Sequence, residues 1–498
     1  MNTNTSLLPL ADSEFKWFQA RHLLWRAGFG ATTDEVDRYA ALGLKKAVKE
    51  LVNYFTIDDG NLPSIDLNPD VMRPPSRQER MMIQKLRKEK KDKELKELRS
   101  QRKDRIGEDR DMFSELQMWW LKRMFATPRP LEERLTLLWH SHFASKQQSV
   151  RDAYLMYQQN NLFRENASGS FADLARAIIR DPAMIKFLNN NQNNKRKPNE
   201  NLARELMELF TLGEGHYTED DIREGARALT GFTFNDNDFS FNKRNHDSQT
   251  KTILGETGTH TGDDFVNLLL NNIQCSRFIA FKIYRHFVAD ITDLESDLTT
   301  DQQQVIGQLA ATLRNNNYKI SSALTVLFES QHFYDPNIVG RKVKSPIHLL
   351  ATTVRSLSVN VRSDRALRYA TKMMGQQPFE PPSVAGWDVG QSWINTSTLV
   401  ARHNFTTAMI AGTKFGRKKH KFNNTNAYDP MPLVKNFDLS STPSRTIVDH
   451  LANLTLGDIP ANRKQPLYSF VSSQENLDRQ SLIQLLLLLT TMPEYQLC

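Results

Sequence analysis

Three clusters of polar residues have the types and spacing for chemistry. The run Trp139-His140-Ser141-His142-Phe143 sets two imidazoles two residues apart, and imidazole is the commonest protein metal ligand. On a regular helix such near neighbours point in different directions, so both reach one ion only where the backbone leaves helical geometry. Asn201, Glu205 and Glu208, with Arg204 beside them, share one side of a helical stretch. Paired carboxylates of this kind serve as general bases or metal ligands in hydrolysis and group transfer. His246-Asp247, with Lys251 four residues on, offers a proton carrier, a carboxylate and a cation on what reads as a loop, where functional residues concentrate. An ordinary amphipathic helix also gathers its polar residues on one arc, so spacing alone leaves Asn201, Glu205 and Glu208 open to a structural reading.

The elements that must position these residues are mostly helices. The segment KPNENLARELMELFTLGEGHYTEDDIREGARALTG (197–231) reads as two helices meeting at a tight turn. Pro198 suits the first helical position. Leu202, Leu206, Leu209 and Phe210 fall on one side, and Gly213 reads as the C-terminal cap. Thr218 and Asp221 form a capping-box start for the second helix, which runs to Gly231. The preceding NNNQNNKRKPN (189–199) has no core-forming pattern and reads as an exposed loop. After Gly231 the period changes to alternation over Phe232–Phe234 and Phe239–Phe241 around a turn-like Asn-Asp-Asn-Asp, which predicts a β-hairpin. The Pro/Gly/Trp-rich stretch 375–395 cannot form one helix. It should lay Trp387 and Trp393 across a helical face, with Asn395 or Thr396 starting the next helix. Residues 415–445 are basic and then turn-rich.

The fold class that follows is mainly α: a multi-helix globular array with a small β-hairpin inserted after the central helix pair. Four segments are expected: an N-terminal helical segment (1–76), a charged helical insertion (77–106), a central region with the polar site (107–262) and a C-terminal helical region (263–498). A chain of 498 residues with 39% hydrophobic and 24% charged residues can bury a large core. Cys275 and Cys498 are the only cysteines, which excludes a cysteine zinc site and predicts two free thiols. The net charge is +8, but residues 77–105 hold thirteen Lys or Arg against six Asp or Glu, so the remainder is close to neutral. No apolar run is long enough to span a membrane. No basic start followed by an apolar region marks a secretory signal, so the residues alone read as cytoplasmic.

Several stretches together resemble the bacterial family catalogued as domain of unknown function 1800. They are HLLWRAGFGAT (22–32), RPLEERLTLLWHSHFAS (129–145), the central pair 198–231, HDSQTKTILGETG (246–258), SRFIAFKIYRHFV (276–288) and FEPPSVAGWDVGQSWIN (379–395). The resemblance implies a mainly helical protein, often encoded beside a relative of sulfatases and alkaline phosphatases, with many members exported. The family's shared polar motifs fall here on His140, His142, Asn199, Glu200, Asn201, Arg204, Glu205, Glu208, His246, Asp247, Lys251 and Trp387. No activity comes with the name.

Two readings compete, and the first is preferred by a small margin. In the first, the polar residues form a site for hydrolysis or group transfer on a phosphate-, sulfate- or glycan-type substrate. Glu205, Glu208, His246 and Asp247 are then catalytic, His140 and His142 hold a divalent metal, and Arg204, Lys251, Asn201 and Trp387 bind substrate. In the second, the chain is a non-catalytic binding or export partner of the sulfatase- or phosphatase-like neighbour. Nucleic-acid binding through 199–231 is disfavoured, because Glu219, Asp220 and Asp221 open the would-be recognition helix and repel phosphate.

Overall fold

The computed structural model describes residues 4–60, 62–294, 297–412, 428–474 and 476–498; the first part of the basic stretch expected at 415–445 lies outside them. Among the described residues 22 α-helices account for most of the chain, and two antiparallel two-stranded sheets are the β-structure. The predicted hairpin is β1 (Phe232–Asn235) paired with β2 (Asp238–Phe241), Phe232 opposite Phe241. A second hairpin, β3 (Lys251–Ile253) with β4 (Glu256–Gly258), was not expected. Three-residue strands are too short to show alternation, so the sequence around Gly255 reads only as a turn.

The helices bury two hydrophobic clusters. One takes Leu23, Leu135, Phe210, Phe281 and Phe328, together with most apolar positions between 15 and 338. The other takes Trp120, Leu137, Leu350, Leu451 and Leu485, together with the C-terminal helices. The Pro130–His142 helix serves both: Leu138 belongs to the first cluster and Leu137 to the second. It runs along the seam, which is why it is buried nearly all round. Arg26, 1% exposed, ties the seam from the other side by donating to the carbonyls of Phe287, Val288 and Ile338.

The charged insertion is a helical hairpin, Arg77–Lys88 followed by Asp92–Ala126, with the turn around Lys90. Its second helix continues unbroken from the exposed charged stretch into the core at Met112 and Leu116. The central pair departs from its expected form in two places. Pro198 lies before the helix, which begins at Asn201, with the Asn199 side chain accepting from the Asn201 N–H at 3.1 Å. The helix then widens into a π-helical turn over Leu206–Thr211. The second helix starts as predicted, with a reciprocal Thr218–Asp221 capping box. The asparagine-rich loop is mostly exposed, as expected, and is anchored by two buried side chains. Asn190 and Asn193 are nearly inaccessible, and their amides donate to the carbonyls of Leu229, Phe232 and Ala226. Asparagine pays for its burial here by capping carbonyls that the turn at Gly231 leaves free. Cys275 and Cys498 are buried free thiols.

Candidate functional site

The sequence-identified residues fall into three separate neighbourhoods. The first is the end of the Pro130–His142 helix. His140 accepts from the Phe379 N–H at Nε2 (3.2 Å) and stands among the rings of Trp120, Phe379 and Trp387, each 5.1–5.5 Å away between centroids. Burial pushes its pKa down to about 3. His142 uses Nε2 toward the Phe210 carbonyl at 3.0 Å and lies against Phe143, Phe171 and Phe278. The two imidazoles therefore address different partners, as a regular helix requires. Among the described residues no three His, Cys, Asp or Glu side chains come together in a way that could hold a metal ion.

The second neighbourhood is the central helix. Glu205 is half-buried; burial first, then the charge of Glu208, raises its pKa to about 7. Glu208 accepts from the Tyr217 hydroxyl at 2.7 Å. Arg204 is engaged by both oxygens of Glu219 at 2.8 Å. Exposed Asn201 turns its amide back toward the Leu188 carbonyl.

The third neighbourhood is the loop after the first hairpin. Asp247 takes a two-toothed bond from Arg227 (2.8 and 3.3 Å) and accepts from the Gln249 N–H. His246 Nδ1 meets the Thr230 carbonyl. Lys251 is 1% exposed and donates to the carbonyls of Asp247 and Gln249. This set fastens its own loop to the Glu219–Ala228 helix. The groups that perturb the titration of Glu205 come from its own helix, while Lys251 responds to Asp247, Arg227, Glu224 and Asp264.

A different cavity lies at the seam of the two clusters. It is partly open to solvent and its volume is about 70 Å³; about 10–15 Å³ suffices for one water, so several waters or a small oxyanion fit. Both Leu137 and Leu138 line it, together with His142 and Trp387. The 375–395 loop forms one wall and is fixed to the Pro130–His142 helix by the Phe379–His140 bond and by the Trp387 N–H on Ser141 Oγ (3.3 Å). Two glycines let it come so close. Gly386, at φ +84°, would place a Cβ 2.1 Å from the Ser141 carbonyl oxygen, and Gly390, at φ +63°, would meet Asp290 at 2.7 Å. His140 is thus a positioning residue for the loop that carries Trp387.

The walls are cationic. Arg134, Lys282, Arg285 and Lys342 line the cavity, against Asp290 and Asp388. Lys342 pairs with Asp290, which also accepts from the Val343 N–H. Arg134, Lys282 and Arg285 form no ion pair among the described residues. Arg134 is 3% exposed; burial is the main cause that lowers its pKa to about 10. Burial likewise lowers Lys282 well below the ordinary lysine range, helped by Arg285. His142, His286 and His348 are all held far below the usual imidazole value, by burial first and by neighbouring cations next. They are neutral at pH 7. Five buried polar atoms on these walls have no partner among the described residues: Arg134 Nε, His142 Nδ1, His286 Nε2, His348 Nε2 and Trp387 Nε1. Buried polar groups are otherwise almost always satisfied, so a cluster of orphans marks a place made for a ligand or water. The Pro346–Leu357 helix also begins at this cavity, at Ser345, adding the positive end of its dipole.

Arg134, Lys282, Arg285, His286, Lys342 and His348 were not singled out from the sequence. A signal existed in SRFIAFKIYRHFV, where Lys282, Arg285 and His286 stand at i, i+3 and i+4 on a largely buried helix. A family model described as protein of unknown function (DUF1800) matches residues 22–497. No curated protein and no solved structure matches the chain.

Proposed function

The chain belongs to the family of proteins of unknown function DUF1800, and we propose that it recognises the oxyanion of a small phosphate- or sulfate-type substrate in the seam cavity. The observation that carries this is the trio Arg134, Lys282 and Arg285, basic side chains that line one cavity and form no ion pair among the described residues. Burial opposes the charge on each of them, most of all on Lys282, and a counter-ion that enters the cavity restores it. An oxyanion supplies both the missing charge and acceptors for the orphaned donors. Hydrolysis or group transfer on that anion is the reaction class such a site suits, with preorganised cations stabilising charge that develops on the transferred group. Of the residues picked out in the sequence, His142 and Trp387 belong to this site.

The test is calorimetric titration of the whole chain with inorganic phosphate and with sulfate. Uptake of at least one of them by the wild type, weakened at least tenfold in a Lys282→Gln, Arg285→Gln double variant, is the expected result. Equal uptake by both proteins, or none by the wild type, would overturn the proposal.

A second reading assigns proton transfer to Glu205. It is favoured by the π-helical turn that starts one residue later, a rare distortion frequent at functional sites, together with the carboxylate of Glu208 on the next turn.

A further inference from the structure

The cavity is not lined by donors alone, and that decides which oxyanion suits it. The Phe210 carbonyl can only accept, so the His142 Nε2 facing it at 3.0 Å carries the ring proton. The ring is neutral, because burial and the nearby Lys282 and Arg285 oppose a second proton. His142 Nδ1 is therefore a bare lone pair, buried and without a donor among the described residues. Asp388 adds a carboxylate at the rim, near enough to Arg285 to act on its charge. A site for a fully deprotonated anion has no use for either acceptor.

We propose that the anion taken by this cavity is a phosphate monoester, bound as its monoanion, with its P–O–H donating to His142 Nδ1. This rests on the cavity being an oxyanion site. The remaining phosphate oxygens accept from Arg134, Lys282 and Arg285. A sulfate ester offers oxygen lone pairs only, so its fit leaves Nδ1 facing an acceptor, with the penalty of an unmade buried hydrogen bond. A phosphate monoester keeps its second proton up to pH about 6, and about one molecule in ten still holds it at pH 7. The proton is thus available under ordinary conditions without the imidazole having to change state.

The measurement is titration of the whole chain with methyl phosphate and methyl sulfate, matched in size, at pH 6.5 and pH 8.5. Lys282, Arg285 and the flanking imidazoles act on both ligands alike, so the ratio of the two affinities isolates the ligand's own proton. Methyl phosphate is expected to bind about two- to threefold more tightly than methyl sulfate at pH 6.5, because one net hydrogen bond is worth about tenfold and about a quarter of the ester is the monoanion there. The ratio should shrink at pH 8.5, as the monoanion disappears, and also at pH 6.5 in His142→Gln. Where that variant does not fold, the wild-type ratio at the two pH values decides. Equal affinities, a preference for methyl sulfate, or a ratio that does not fall at pH 8.5 would overturn this inference and leave the oxyanion site standing. Binding of neither ester would remove both.

Discussion

Glu205 shows how little of a residue's chemistry lies in its type. Its side chain is the same as that of Glu219, which stays ionised against Arg204, yet its own pKa is about 7. The cause is partial burial, reinforced by Glu208, with Arg204 spent largely on Glu219. A carboxyl raised in the folded state holds its proton where the unfolded chain, at about 4.3, has released it. Its favourable contribution is therefore complete below that value and is lost as pH rises through about 7. Glu205→Gln should match the wild type in melting temperature near pH 4 and exceed it at pH 8, by about a degree or two for a chain of this size. Thermal unfolding of both proteins across that range checks the sign; a variant less stable at pH 8 would mean that the Glu205 carboxylate is favourably placed. At the same scale, His140 and His142 look alike in sequence and differ in duty. One imidazole accepts from a backbone amide and holds a loop, while the other donates to a carbonyl and has no partner at Nδ1 among the described residues.

At the scale of elements, the wall around Trp387 depends on a backbone conformation that only glycine adopts cheaply. Gly386→Ala would bring a Cβ into the Ser141 carbonyl and force the loop off the helix. The expected outcome is a loss of oxyanion affinity of tenfold or more and a red shift in tryptophan emission, with helix content unchanged by circular dichroism. Unchanged affinity would show that the loop does not shape the site. The elements were legible in sequence where a local rule dictated them. Alternating phenylalanines around Asn-Asp-Asn-Asp gave β1 and β2, Thr218 with Asp221 gave a helix start, and Asn395 caps the helix after the tryptophan loop. The π turn was not legible, because Leu202, Leu206 and Phe210 keep apolar spacing whether or not one carbonyl skips a residue. Nor was the cavity. A buried arginine such as Arg134 reads as a polar position on an amphipathic helix until elements more than a hundred residues apart close around it. His246, Asp247 and Lys251 were legible as a polar cluster, but the bonds by which Asp247 and Lys251 fasten their loop were not, because they depend on the Glu219–Ala228 helix packing beside it.

For the whole molecule, the seam between the two clusters holds a few buried basic side chains, while the bulk of the net charge sits elsewhere. The hairpin at 77–105 carries thirteen of the basic residues on two helices that are mostly exposed, against an otherwise nearly neutral body. Lys88, Lys93, Lys96 and Lys103 are all exposed, so replacing them with Gln should leave thermal unfolding unchanged. Elution from a cation-exchange matrix should move to lower salt; elution at the same salt would mean that the matrix reads another face. The second helix of that hairpin spans 35 residues, and at 1.5 Å per residue it is about 52 Å long. Charge gathered at one end of such an arm gives the molecule a large permanent electric dipole. In low-salt solution any anionic sheet, bead or polymer turns the molecule before touching it, arm first, and that alignment fades once the screening length falls below about 10 Å.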